Sequence, residues 1–339
     1  MGKSIIVIPP YYRGTSFEDI ANSLLTASRK IDVPILFLGA AKAINNKLSS
    51  EKYLDDSLYI KGQLKILNEL SRELKKIDRI LFLDFFNPGL DLIKYAITQN
   101  SRRIKIGSLL HGGSFIPGDL YSDPWLKNFE CGWFDINEIV YTPSKYAASV
   151  CPKEFKNKIK IFPWGMDSFV SINNPNKIFE VIFPHRLQSD KGTGDLIEIV
   201  KQMPEVNFLI TSPQTKNILT KNPYYKKLII YKNVTFRYVV TNDNIANFLS
   251  KSKVVLSCSA QETFGYSIMK AVACGCTPVV PDKTVYVENI DKKFRYTSIK
   301  SAVKLIDKYV HYTKKSNARE LKQEFSSYSF EPLLKDFFK

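Results

Sequence analysis

Cysteine is scarce in this sequence and shows no pairing pattern. The five residues Cys131, Cys151, Cys258, Cys274 and Cys276 form an odd set without CxxC or CxxxC spacing. That excludes a disulfide framework and a zinc site of the usual spacing, and it points to a reducing cytoplasm. Long apolar runs are lacking too. The longest, such as Ile80 to Phe86, have strand length, well short of the roughly 20 residues that a membrane-crossing helix needs. At the N-terminus the apolar run stops at Pro9-Pro10, so a first strand is expected there and not a signal peptide. Histidine is limited to three residues, and no Asp-x-Asp triplet occurs to clamp a metal on a diphosphate. Metal-independent chemistry without a cofactor is therefore expected.

Charge of one sign dominates what is present. The 49 basic and 33 acidic residues give +16, spread over both halves: 23 − 17 = +6 for residues 1–166 and 26 − 16 = +10 for the remainder. Such a field favours a polyanionic partner, although a solvated lysine-rich surface explains it as simply. Hydrophobic residues at 44% and charged residues at 24% describe an ordinary globular chain. At about 150 residues per domain, a chain of 339 residues is expected to form two domains.

Strand-length apolar runs alternate with helix-period segments almost throughout, the pattern of parallel α/β layers. Strands are predicted at Ser4–Ile8, Ile35–Leu38, Ile80–Phe85, Ile104–Leu110, Glu138–Thr142 and Ile159–Phe162, then at Phe179–Pro184, Phe208–Thr211, Val234–Tyr238, Val254–Cys258 and Thr277–Pro281. Helices are predicted at Phe17–Arg29 and Gln63–Lys76. The aperiodic, Ser/Asn/Pro-rich stretch 167–177 reads as a linker. The expected division is a Rossmann-like domain at 1–166, that linker, a second Rossmann-like domain at 178–316, and a helix at 317–339 crossing back to the first domain.

Chemistry concentrates in VVLSCSAQETFGYSIMKAVACGCTPVVPD, Val254 to Asp282. A buried strand ends in a loop with Glu262, Thr263, Phe264 and Gly265, and a helix starts near Tyr266. Free backbone N–H groups at a helix start can hold an anionic diphosphate, and Glu262 offers a carboxylate to sugar hydroxyls. This passage resembles the signature of glycosyltransferase family 4, where an E-G-F-G loop precedes a helix ending in EA-x-A-x-G-x-PVV. Upstream, FPHRLQSDKGTGDLIEIV is similar to that family's strand, loop and helix carrying an Arg and a Lys. The resemblance implies a retaining GT-B glycosyltransferase, two Rossmann-like α/β domains facing across a cleft, with a nucleotide sugar of the UDP or GDP kind as donor. It implies that Arg186 and Lys191 clamp the diphosphate, roles that suit a planar fork and a point cation. Family members carry a second glutamate for the nucleotide ribose, and this chain has Lys270 there. His111, at a strand end before Gly112-Gly113, matches a family histidine near the transferred sugar and is expected to donate to a sugar oxygen. The loop after the first strand places Tyr12 and Arg13 toward the acceptor and Gly14 toward the donor, and Asp119 is a further acceptor-side candidate.

For the acceptor, the PHR…DK block and CGCTPVVPDKTVYVEN resemble the tRNA-queuosine mannosyltransferase group. Phage enzymes that glycosylate hydroxymethylated DNA bases share the two-domain plan. Both, together with the positive charge, imply a nucleic-acid acceptor reached as an extruded base, with Tyr11, Tyr12 and Arg13 or Trp125 and Lys127 as stacking groups. The alternatives are a membrane lipid or cell-surface glycan acceptor, with Lys61–Lys76 as a cationic amphipathic helix, and a catalytically silent binding protein. No obligate protein partner is inferred.

Overall fold

The computed structural model describes residues 3–9, 16–39, 57–118, 124–172, 174, 176–212, 216–238, 242–311 and 318–339. The first half builds a sheet from β1 (Lys3–Ile8), β2 (Ile35–Gly39), β3 (Ile77–Phe82), β4 (Lys105–Leu109), β5 (Ile139–Thr142) and β6 (Ile159–Ile161). The helices between these strands are α1 (Ser16–Ser28), α2 (Ser57–Glu73), α3 (Leu90–Gln99), α4 (Pro124–Ile136) and α5 (Lys145–Val150). All pairings are parallel, in the order β2-β1-β3-β4-β5-β6.

A second parallel sheet follows, in the order β12-β11-β10-β7-β8-β9. Its strands are β7 (Phe179–Phe183), β8 (Phe208–Ser212), β9 (Val234–Tyr238), β10 (Ser252–Leu256), β11 (Thr277–Pro281) and β12 (Arg295–Tyr296). The helices of this half are α6 (Thr193–Gln202), α7 (Lys216–Leu219), α8 (Pro223–Leu228), α9 (Asn242–Ser250), α10 (Tyr266–Ala273), α11 (Tyr286–Asn289) and α12 (Ile299–His311). The chain ends in α13 (Arg319–Ser326) and α14 (Glu331–Phe338).

Alternation along β1 shows how the layers are covered. Ile5 and Val7 pack into a core with Ile66 and Leu70 of α2, Ile93 and Ile97 of α3, and Leu126 and Trp133 of α4. Ile6 and Ile8 point to the opposite face, where Ile20 and Leu24 of α1 meet them. So α2, α3 and α4 share one face of the sheet and α1 takes the other. The α2 helix docks through Ile66 and Leu70, and Leu74 just beyond its end is buried too, while Ile60 and Leu64 on the helix remain exposed.

The single C-terminal helix expected from sequence is instead two, broken at 327–330. Pro332 favours a fresh helix start over continuation, and the Asp167 carboxylate accepts from the Phe330 N–H (2.9 Å) and the Ser329 hydroxyl (2.6 Å), holding the new start in place. After the break, α13 lies against α10 and α14 against α1. Lys105 donates to the Phe337 carbonyl (2.8 Å), and Tyr141 donates to Asp336 (2.7 Å). The short β12 was not predicted: two residues are too few to show a period.

Candidate active site

In a parallel sheet the polar loops gather beyond the carboxyl ends of the strands, and both sheets do this here. Beyond β7 the chain runs through His185 and Arg186 into a 3-10 turn at Ser189–Lys191, and Gly192 then starts α6. Gly192 has φ 64°, and a Cβ on it would sit 1.9 Å from the Cys258 carbonyl oxygen. Only glycine permits that contact. The Ala260 N–H donates to the Asp190 carbonyl at 2.9 Å, so the loops after β7 and β10 are joined.

Through that junction four charges come together. Arg186 Nη2 donates to Asp190 Oδ2 at 2.6 Å, and its Nε donates to Gln188. Lys191 Nζ lies 2.9 Å from Glu262 Oε2 and 3.8 Å from Asp190 Oδ2. Burial drives the Glu262 carboxyl upward, but the charge and hydrogen bond of Lys191, with the charge of Arg186, outweigh it and hold the group below the usual carboxylate range. Glu262 is therefore an ionised acceptor at neutral pH.

His185 was not anticipated, although it stands in the same PHR block as Arg186. It is buried beside Phe183 (ring centroids 5.0 Å), and its Nε2 is enclosed without a hydrogen-bond partner among the described residues. Burial and the neighbouring Lys191 charge push its pKa down to about 3, so the ring is neutral.

Glu262, Thr263, Phe264 and Gly265 form the approach to α10. Gly265 is the N-cap residue, with φ 81° and no side-chain cap on the helix, leaving that terminus to backbone N–H groups. Phe264 is buried against Trp164 and Tyr328 (6.4 and 6.2 Å between centroids). Thr263 reaches the other sheet: its hydroxyl donates to the His111 carbonyl at 2.8 Å, and its own carbonyl accepts from Ser144 Oγ at 2.7 Å.

His111 stands beyond β4, packed between Phe17 and Trp164 at 4.9 and 5.2 Å. Its Nε2 lies 2.7 Å from the Leu83 carbonyl, which can only accept. Nε2 therefore carries the proton, and burial pushes the pKa down to about 4. In this neutral tautomer Nδ1 can only accept a hydrogen bond, whereas the sequence reading expects a donor there.

Lys270 faces away from any ribose-binding role. Its Nζ pairs with Asp19 of α1 at 2.7 Å and lies 5.0 Å from the centre of the Phe169 ring. A second unanticipated link is Glu288, whose carboxylate accepts from the Lys145 and Tyr146 N–H groups (2.9 and 3.0 Å) at the start of α5. The structure thus brings together Arg186, Lys191, Glu262, Thr263, Phe264, Gly265 and His111. Tyr12, Arg13, Gly14 and Asp119, like Tyr11, lie outside the described residues. Among the described residues no group of three or more His, Cys, Asp or Glu is placed to hold a metal ion, and no helix is long and apolar enough to cross a membrane.

Residues 167–329 match the family described as glycosyl transferases group 1. A tRNA-queuosine alpha-mannosyltransferase of Drosophila melanogaster is 27% identical over 132 residues, covering 38% of this chain and 35% of that protein. The chain thus aligns with about a third of the length of that curated relative. Among solved structures, the catalytic domain of starch synthase IV from Arabidopsis thaliana, bound to ADP and acarbose, superposes with a TM-score of 0.68 at 12% identity, covering 100% of this chain and 98% of that one. Sucrose-phosphate synthase from Thermosynechococcus elongatus gives 0.67 at 13% identity, with 98% and 97% covered. A lipopolysaccharide outer core galactosyltransferase in its apo form gives 0.63 at 11%, with 99% and 98% covered. These likenesses show the two-domain α/β GT-B fold, and residues 167–329 carry the match to the glycosyl transferases group 1 family.

Proposed function

We propose that this enzyme transfers a sugar, with retention of anomeric configuration, from a UDP- or GDP-sugar to a hydroxyl on a modified nucleic-acid base. The observation that carries the donor half is the cluster Arg186, Asp190, Lys191 and Glu262 beside the uncapped start of α10. In it two cations are held in place by two carboxylates of the chain itself, ready to be shared with an incoming diphosphate.

In the reaction the bond from the sugar anomeric carbon to the diphosphate oxygen breaks, and its electron pair leaves with the nucleotide. Arg186 and Lys191 stabilise the charge that grows there. The acceptor oxygen bonds to the same carbon on the face that the diphosphate leaves, and its proton passes to the departing diphosphate oxygen. Glu262, ionised, accepts from sugar hydroxyls, and His111 accepts from another through Nδ1. The cations suffice for the leaving group, so the reading includes no metal and no cofactor. Retention is supported by the likeness of the Val254–Asp282 passage to a retaining family, and a reducing cytoplasm by cysteines that are all free and mostly buried.

For the acceptor, the support is the charge of +16 together with the partial likeness to a tRNA-queuosine mannosyltransferase. A screen of nucleotide sugars by thermal shift, followed by mass spectrometry of hydroxymethylated DNA, queuosine-containing tRNA and lipid extracts, tests the whole reading. Sugar on DNA or RNA is the expected result. Sugar on lipid or glycan alone would overturn the acceptor assignment, and no transfer from any donor would overturn the donor assignment.

A further inference from the structure

Four aromatic side chains are exposed among the described residues, and three of them, Tyr95, Trp125 and Phe129, lie in the first two turns of α3 and α4. These helices pack against each other on the face of the first sheet opposite α1. Tyr95 is 64% exposed, and Trp125 and Phe129 are each 54% exposed. Exposed apolar residues scattered singly need no explanation; three exposed rings in the first turns of two helices that pack together call for one.

Two features give these rings a direction and a partner. Both helices begin where β3 and β4 end, so their first turns lie at the sheet edge that carries His111. The connection is rigid: the carboxylate of Glu130, one residue after Phe129, accepts from the Ser114 N–H at 3.0 Å and from its hydroxyl, tying α4 to the loop that starts at His111. Within α4 the rings form a ladder, with Trp125 5.7 Å from Phe129 and Phe129 6.5 Å from Trp133. Lys94 and Lys127 are exposed in the same turns as these rings, where Asp91 is the exposed carboxylate and Glu130 is buried against Ser114. Flat rings interleaved with cations suit a strand of stacked bases joined by phosphates, and the overall +16 favours the same ligand.

We propose that Tyr95, Trp125 and Phe129 form a stacking platform for single-stranded nucleic acid, which leads a base past the rim of the first sheet toward His111. This rests on the nucleic-acid reading of the acceptor. The test uses the full-length protein, wild type and with Tyr95→Ala, Trp125→Ala and Phe129→Ala singly and together. Circular dichroism provides a fold check, and exposed rings leave little reason for misfolding. Binding of a fluorescein-labelled oligothymidine is followed by anisotropy, with vesicles of phosphatidylglycerol as a second probe. Each ring removed is expected to weaken oligonucleotide binding about tenfold, and the wild-type tryptophan fluorescence should be quenched by the oligonucleotide but not in Trp125→Phe. Wild-type-like oligonucleotide affinity in the triple variant would overturn the platform while sugar transfer to nucleic acid, if seen, would leave the acceptor assignment standing. Loss of vesicle binding alone would overturn it in favour of a membrane surface. Failure of the wild type to bind the oligonucleotide would overturn it outright.

Discussion

Lys191 and Glu262 are 71 positions apart in the chain, yet their side chains meet at 2.9 Å because Gly192 lets the loop after β7 lie on the strand end at Cys258. Each then depends on the other. Lys191→Ala should lower kcat/KM by on the order of 10²-fold or more, since it removes a cation that opposes leaving-group charge. Arg186→Ala should do the same, and Lys191→Arg should recover part of the loss; steady-state kinetics with the cognate donor checks all three. Unchanged kcat/KM in both alanine variants would remove the clamp. His185 yields a separate prediction. Its folded pKa of about 3 lies below the ordinary 6.5, so between those values the unfolded chain binds a proton that the folded chain refuses. Stability that is fully present above pH 6.5 is therefore lost as pH falls toward 3, and His111 acts with the same sign down to about 4. Melting temperature should decline from pH 6.5 to 5, before most carboxylates titrate, and His185→Gln should flatten that slope. Identical slopes in wild type and variant would show that His185 is not the titrating group.

At the scale of elements, the sequence made the strands legible because buried parallel strands are short, nearly continuous apolar runs. The loop and helix of the donor side were legible as well, since Glu262 to Gly265 and the start of α10 at Tyr266 are local features. What crosses between elements was not. Asp167 holding the start of α14, or Glu288 capping α5, joins residues 163 and 143 positions apart, and no period or spacing announces such a partner. His185 could have been suspected from its place between a buried strand and Arg186, but its lack of a partner shows only in three dimensions. Gly192 is the element-scale residue whose replacement should cost most. Gly192→Ala combines a left-handed backbone with a Cβ 1.9 Å from the Cys258 carbonyl oxygen, which would have to move and carry the Lys191–Glu262 contact with it. We expect a loss of roughly 2–4 kcal/mol in urea denaturation and weakened donor binding by calorimetry. Gly194 sits two residues along with open space around its Cβ position, and Gly194→Ala should leave both measurements close to wild type.

For the whole molecule, the question is what holds the two sheets facing one another. Polar links span them at Thr263 with His111, at Glu288 with α5, at Tyr266 with the Gly165 carbonyl (2.7 Å), and at Lys270 with Asp19. The last is an ion pair whose side chains are only 6% and 11% exposed, so solvent screens it little. It also occupies the helix position where similar enzymes place a glutamate. A glutamate there would face Asp19 with like charge, and the present contact between α10 and α1 could not form in the same way. Removing Lys270 strands the buried Asp19 carboxylate. Lys270→Met should cost about 3–5 kcal/mol, whereas Lys270→Met with Asp19→Asn, which removes both charges and keeps volume, should cost less than the sum of the two single variants. A double-mutant cycle by chemical denaturation measures the coupling. If the pair sets the facing of the sheets, small-angle scattering should also show a larger radius of gyration in the single variants and a near wild-type value in the double variant. Additive costs and an unchanged radius in the single variants would mean that the facing is held by the shared apolar core around Trp164, Phe264 and Phe330 alone.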